Sequence, residues 1–129
     1  MNSRNNTIAQ SGFMLFAVIV LSLMFTAVVG EAKQSVEPVK NETVCMINNA
    51  VMGKPQIPVV VNGKTYYGCC KNCAAKLKAD RSARFAKDPV TGREVDKSAA
   101  FITATSEGDA IYFESRESAE KYYAAREKK

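Results

Sequence analysis

The sequence predicts a small α+β protein made of two β-hairpin-plus-helix units in tandem, placed after an N-terminal hydrophobic segment. Three observations support this prediction. Runs of β-branched and aromatic residues occur in pairs, and a glycine-containing turn separates the members of each pair. Each pair precedes a run rich in Ala, Lys and Glu, which favours a helix. A chain of 129 residues has room for one modest domain or two very small ones.

Residues 1–32 are typical of a targeting segment. A polar start precedes FMLFAVIVLSLMFTAVVG, residues 13–30, which carries no charge. The small residues around Gly30 and Ala32 offer a cleavage point for a signal peptide, and an uncleaved segment of this length would anchor the chain in a membrane. In either case we expect export, with the rest of the chain in the periplasm or another extracytoplasmic space. The polar segment 33–42 is interpreted as a linker.

The segments 43–77 and 89–123 follow the same plan of strand, turn, strand and helix. Asn62-Gly63 is a strong two-residue hairpin signal in the first segment, and SEGD is a longer turn in the second. Ser115 is the predicted N-cap of the second helix. The predicted strands are IPVVV (57–61), KTYY (64–67), AAFITAT (99–105) and AIYF (110–113), and the predicted helices are CKNCAAKLKA (70–79) and SRESAEKYYAAREKK (115–129). Two such units can share one core.

When the two segments are overlaid, all four cysteines fall in the first. Cys45, Cys69, Cys70 and Cys73 stand opposite Thr91, Glu114, Ser115 and Ser118, in that order. The chemistry of the chain is therefore expected in the first unit, and the second is interpreted as a structural partner. The run KLKADRSARFAKD (76–88) is interpreted as a solvated helix and turn. The predicted aromatic core residues are Tyr66, Tyr67, Tyr112 and Phe113.

The charge of the chain does not indicate a nucleic-acid partner. The formal net charge of +5 is spread over Lys and Arg residues that form no basic stripe interleaved with aromatics. The sequence also does not support most enzymatic activities, because it contains no histidine, no phosphate-binding loop and no convincing pair of carboxylates. Thiol–disulfide exchange is the one enzymatic activity left open.

The four cysteines admit three interpretations. Two disulfides are the usual arrangement in a small exported domain, but Cys69, Cys70 and Cys73 crowd one end of one element, and a bridge between adjacent cysteines would be strained. Cys70 and Cys73 also fit the C-x-x-C redox pattern, although a hairpin precedes them instead of the βαβ unit in which that pattern usually occurs. Attachment of a c-type haem is excluded, because Ala74 stands where the motif requires His.

The third interpretation is a thiolate metal site. A hairpin brings a thiol at its entry close to thiols at its exit, so Cys45 is expected to approach Cys69 and Cys73. The spacing of Cys69 and Cys73 places both sulfurs on one face of a helix. Thiolates bind soft ions such as Cu(I) and Zn(II). With Cys70 as a candidate fourth ligand the site would suit structural zinc, whereas three thiolates would suit Cu(I) or a mercury-like ion.

Four other side chains near the cysteines are candidates for supporting roles. Met46 and Met52 offer thioether ligands, although a methionine in a small core is more often a packing residue. Lys71 and Lys76 are expected to stabilise a negatively charged thiolate cluster.

The cysteine-containing segment resembles the TRASH domain, a treble-clef-like metal-binding module related to the YHS domain. The similarity rests on Cys45 and on GKTYYGCCKNC, residues 63–73, and covers about residues 43–80. In that family an upstream cysteine and a C-x-x-x-C pair are taken as the metal ligands, which implies Cys45, Cys69 and Cys73 here. Gly68 stands where the family commonly has an aromatic residue, and Cys70 is an additional thiol.

The second half resembles a YHS-type unit that lacks its cysteines, on the strength of DPVTG and IYFESRESAEKYY. The resemblance implies a TRASH-like unit at 43–87 and a YHS-like unit at 88–129. Because the family is tied to heavy-metal sensing, trafficking and resistance, it also implies binding of copper first and zinc next, with a metal donor or acceptor protein as partner. The alternative is a disulfide-stabilised binding module.

Overall fold

A computed structural model describes residues 36–128, which form an α+β structure of four two-stranded antiparallel hairpins and two helices. This confirms the predicted α+β class. The predicted targeting segment, residues 1–32, lies outside the described residues. Neither described helix is both long and apolar enough to cross a membrane. The strands are β1 (Val44–Cys45), β2 (Ala50–Val51), β3 (Ile57–Val61), β4 (Lys64–Gly68), β5 (Phe85–Lys87), β6 (Glu94–Asp96), β7 (Phe101–Ala104) and β8 (Ala110–Phe113), and the helices are α1 (Lys71–Ala79) and α2 (Arg116–Glu127).

The two main hairpins form where the sequence predicts them. In β3–β4, Val61 pairs with Lys64 across a two-residue turn. Asn62 and Gly63 both adopt positive φ, at 51° and 73°, which is the conformation that an Asn-Gly hairpin turn requires. The second hairpin pairs Phe101 with Phe113 at one end of β7 and β8.

Both helices begin directly after these hairpins, at equivalent positions. The Cys70 Sγ accepts a hydrogen bond from the Cys73 amide, and the Ser115 Oγ accepts one from the Ser118 amide. Each side chain therefore satisfies a backbone donor that the first helical turn leaves free. The predicted N-cap role of Ser115 is confirmed, and Cys70 performs the same role in α1.

Two short hairpins were not predicted, because their strands contain only two or three residues each. β1 pairs with β2, and β5 pairs with β6. The interpretation of residues 76–88 as a solvated helix and turn is wrong in its second part. After α1 and a 3₁₀ turn at Ser82–Arg84, the chain enters strand β5, and the following Asp88 is completely buried.

One hydrophobic core joins the two halves of the described chain. Its fully buried or nearly buried members include Met46, Tyr66 and Leu77 from the first half and Ile102 and Tyr112 from the second. Backbone hydrogen bonds add to this packing, since the Val51 amide donates to Gly108 O and the Ala110 amide donates to Asn49 O. The second half therefore packs against the turn that follows Cys45.

Candidate metal centre

Three of the four cysteines converge at one point between the first short hairpin, strand β4 and helix α1. The Sγ atoms of Cys45, Cys69 and Cys73 all lie within 4.8 Å of one another, and Cys69 Sγ is 3.6 Å from Cys73 Sγ. None of the four cysteines forms a disulfide. Metal–sulfur bonds of about 2.3 Å place three sulfurs around one ion about 4 Å apart, so the observed cluster matches a three-thiolate site closely.

The turn after β1 fixes the position of Cys45. The amides of Ile47 and Asn48, in this turn, and the amide of Cys69 are directed at the Cys45 sulfur closely enough to favour its ionised form. Asn49 closes the turn with φ of 51°. Burial by itself would raise the pKa of Cys45, but these amide donors outweigh it and lower the pKa. The backbone around Cys45 therefore favours the thiolate form of this residue.

Cys69 and Cys73 lie at the junction of β4 and α1, where the chain packs very tightly. A Cβ atom at Gly68 would lie 3.0 Å from both the Ala74 amide nitrogen and Cys73 Cβ. This contact explains why a glycine occupies position 68, since any larger residue would collide with the start of α1. The close approach of strand and helix brings Cys73 to within reach of Cys69.

The other two thiols of the cluster hold their protons more strongly than a free cysteine. Burial raises the pKa of Cys73 to about 12, and its hydrogen bonds with neighbouring cysteine sulfurs add to the shift. A hydrogen bond with Cys45 raises the pKa of Cys69. Because three adjacent thiolates would repel one another, full ionisation of the cluster requires a cation among them. The donor set and its electrostatics therefore fit a thiophilic metal ion.

Cys70 lies outside the three-sulfur cluster. Its side chain is exposed and accepts the Cys73 amide hydrogen bond at 3.4 Å. This bond from the helix N-terminus lowers the pKa of Cys70. The structure thus brings together three of the four predicted ligands and gives the candidate fourth ligand a different role, that of N-cap.

The predicted supporting side chains lie in different environments. Met46 is fully buried in the hydrophobic core, whereas Met52 is 41% exposed and lines an open groove together with Cys69. Lys71 and Lys76 are both exposed on α1.

A different lysine, which the sequence analysis missed, is buried beside the cluster. Lys97 is only 5% exposed, and its Nζ donates to the carbonyl oxygen of Met46 at 2.6 Å and to Asn49 Oδ1 at 2.9 Å. Both acceptors belong to the turn that holds Cys45. Burial lowers the pKa of Lys97 to about 8, and the nearby Cys45 opposes that shift. The sequence carries no signal for this role, because Lys97 follows a short strand that was itself not predicted.

Tyr112, also from the second half, lies beside Lys97. Its ring lies 5.1 Å from Lys97 Nζ, a cation–π distance. Its hydroxyl is buried and has no hydrogen-bond partner among the described residues. Burial raises the pKa of Tyr112, and Cys45 adds to the shift. Tyr112 was correctly predicted as a core residue, but its contact with Lys97 was not predicted.

The second half contains a carboxylate where the first half contains the thiol cluster. Asp88 Oδ1 accepts hydrogen bonds from the amides of Val90 (2.7 Å) and Thr91 (3.3 Å). Its Oδ2 accepts from the Glu114 amide (3.0 Å) and from Ser118 Oγ (2.6 Å). Burial would raise the pKa of Asp88, but these donors outweigh it and lower the pKa.

These contacts match those of Cys45 one by one. In each half, the amides of the second and third residues after the acceptor stabilise its negative charge, and so does an amide at the end of the following main hairpin. The structural counterpart of Cys45 is therefore Asp88, and the sequence overlay of Cys45 with Thr91 differs from it by three positions. The overlay of Cys69 with Glu114 and of Cys73 with Ser118 agrees with these contacts.

Comparisons with known proteins identify no relative of this chain. A scan against protein-family models finds no match, and neither the curated proteins nor the solved structures contain a significant match to the chain.

Proposed function

We propose that this protein binds a soft metal ion, Cu(I) first and Zn(II) next, through the thiolates of Cys45, Cys69 and Cys73. The convergence of these three sulfurs within 4.8 Å carries the proposal. The TRASH-like and YHS-like character of the two halves, 43–87 and 88–129, belongs to the same proposal. So does an extracytoplasmic location, which rests on the composition of residues 1–32.

The number of ligands favours Cu(I) over structural zinc. Structural zinc sites are almost always closed by four protein ligands. Here the described cluster contains three sulfurs, the nearby Cys70 caps a helix instead, and the chain has no histidine to complete a tetrahedral set. Soft thiolate ligands select Cu(I), which does not require a fourth ligand.

The unequal exposure of the three thiols supports capture and handover of the ion. Cys45 and Cys73 are buried, whereas Cys69 is partly exposed. Cys69 lies in a groove of about 570 Å³ that is also lined by Met52, Ile57 and Pro58. An incoming thiolate from a donor or acceptor protein can approach the ion from this side without unfolding the site.

The test is the metal content and the free-thiol count of the full-length chain, purified anaerobically. We expect about one equivalent of Cu(I) per chain. Cys45→Ser should lower the affinity more than about 100-fold, because changes outside the ligand set already cost 10–100-fold. Cys70→Ser is the matched control and should bind Cu(I) nearly as well as the wild type. Paired thiols and no bound metal would refute the proposal and favour a disulfide-stabilised binding module.

Thiol–disulfide exchange is a second candidate, and the contrast between Cys70 and Cys73 favours it. Cys70 is exposed with a lowered pKa, and Cys73 is buried with a raised one, as an attacking and a resolving thiol would be. The Cys70 thiolate would attack a substrate disulfide, and Cys73 would then displace the reduced substrate and leave a Cys70–Cys73 disulfide. An assay of disulfide reduction separates the two functions, because this activity would survive Cys45→Ser and be lost in Cys70→Ser.

A further inference from the structure

The second half of the chain places a buried cation against the turn that holds Cys45. Lys97 is 5% exposed, and no carboxylate in residues 36–128 forms a salt bridge with it. Within the part of the chain that the structure describes, its Nζ donates hydrogen bonds to neutral oxygens, those of Met46 and Asn49. A buried charge without a counter-charge is costly, and buried charges in proteins are normally paired or bound to an ion. The position of Lys97 therefore points to an anionic group nearby.

A second buried donor in the same place points to the same conclusion. The Tyr112 hydroxyl has no partner among the described residues although Tyr112 is only 4% exposed. Buried polar groups are almost always hydrogen-bonded, so an unpartnered hydroxyl marks a site that is incomplete without another group. Lys97 and Tyr112 both act electrostatically on Cys45. Lys97 Nζ binds the carbonyl oxygen of Met46, the residue directly after Cys45, and the Tyr112 ring lies 5.1 Å from Lys97 Nζ. The Cys45 thiolate is therefore the anionic group adjacent to this pair.

The charge of the loaded cluster depends on the ion that it holds. Three thiolates around a divalent ion keep one uncompensated negative charge, and around a monovalent ion they keep two. A fixed positive charge beside the cluster stabilises the more negative complex by the larger amount. Lys97 therefore lowers the free energy of a monovalent-ion complex more than that of a divalent-ion complex.

We infer that Lys97, assisted by Tyr112, is a specificity-determining residue that shifts the site toward monovalent Cu(I) and away from divalent ions. The inference rests on the proposed metal-binding function and assigns to the second half a role in the site of the first. It also gives a reason why a half without thiols packs against the Cys45 turn. Coulomb's law at an effective dielectric constant of about 20 and a separation of several ångströms corresponds to roughly a tenfold to hundredfold change in the Cu(I)-to-divalent affinity ratio.

The experiment compares affinities of the full-length chain for Cu(I), by competition with bicinchoninate, and for Cd(II) and Zn(II), by competition with a chelator of known affinity. Lys97→Met removes the charge and keeps an unbranched side chain of similar length. It should lower the Cu(I) affinity roughly tenfold to a hundredfold more than the Cd(II) and Zn(II) affinities. Lys97→Arg keeps the charge and should preserve the ratio. Lys121→Met, which removes an exposed lysine of α2, is the matched control and should change neither affinity.

The outcomes separate this inference from the proposed function. An equal loss of affinity for all ions in Lys97→Met would overturn the inference, because it would mean that Lys97 only anchors the Cys45 turn through Met46 O. Absence of metal binding by the wild type would overturn the proposed function and the inference together. Circular dichroism shows whether Lys97→Met folds. If it does not fold, Tyr112→Phe provides a second test of the inference. It should lower the Cu(I) affinity more than the Cd(II) affinity. An unchanged affinity ratio in Tyr112→Phe, together with an unfolded Lys97→Met, would overturn the inference.

Discussion

The buried carboxylate of Asp88 is the feature of the second half whose contribution to stability can be worked out most directly. Asp88→Asn keeps the size of the side chain and removes its charge. The wild-type carboxylate accepts four hydrogen bonds, two on each oxygen. In the variant an NH2 group replaces one of the two oxygens, and this group cannot accept the two hydrogen bonds that the oxygen accepted.

The expected loss follows from those two bonds. A hydrogen bond to a charged group contributes about 1.5–3 kcal/mol, and a buried donor left without an acceptor costs about 1–3 kcal/mol. Because Ser118 can rotate its hydroxyl to another direction, we expect a total loss of about 2–4 kcal/mol in the free energy of unfolding. This is a large fraction of the 5–15 kcal/mol typical of a folded domain.

Urea unfolding of the metal-free, full-length chain at pH 7 measures this loss. Far-ultraviolet circular dichroism is the suitable probe, since the chain contains no tryptophan. Asp109→Asn is the matched control, because Asp109 is exposed, and it should change the free energy of unfolding by less than about 0.5 kcal/mol. A loss below about 0.5 kcal/mol in Asp88→Asn as well would refute the reasoning.

The pH dependence gives the same prediction an independent check. The pKa of Asp88 is lowered in the folded state, so the carboxylate contributes its full stability above the unfolded-state pKa of about 3.9. That contribution is lost as the pH falls through the lower folded-state pKa. The difference in stability between wild type and Asp88→Asn should therefore be constant near neutrality and should shrink below about pH 4. A difference that stays unchanged in acid would contradict the assignment.

Three further predictions concern the cluster and the helix ends. Gly68→Ala should cost about 1–3 kcal/mol in unfolding free energy and weaken Cu(I) binding, because the new Cβ would lie 3.0 Å from Cys73 Cβ; an affinity and a urea midpoint equal to the wild type would contradict it. Ser115→Ala should cost about 1 kcal/mol through loss of the α2 N-cap, measured by thermal unfolding, with unchanged metal affinity. Metal affinity should fall with decreasing pH, because the raised pKa of Cys73, about 12, makes protons compete with the ion; competition titrations at pH 6 and pH 8 check the sign.

Features determined by neighbouring residues were predictable from the sequence. The turn at Asn62-Gly63 and the N-cap at Ser115 depend on interactions within three residues, and the structure confirms both. The convergence of Cys45 with Cys69 and Cys73 also followed from the hairpin between them, since a hairpin brings its two ends together. The role of Cys70 as an N-cap was harder to predict from the sequence, because its capping hydrogen bond depends on where α1 begins.

Features determined by packing between the two halves appeared only in the tertiary structure. Lys97 contacts Met46 and Asn49, which lie 51 and 48 positions away in the sequence. The equivalence of Asp88 with Cys45 depends on contacts with Glu114 and Ser118, across the second main hairpin. The sequence by itself determined the local elements and the thiols of the site, because short-range geometry encodes them. The electrostatic surroundings of those thiols were decided by tertiary structure, because burial of a charge depends on residues distant in sequence that pack around it.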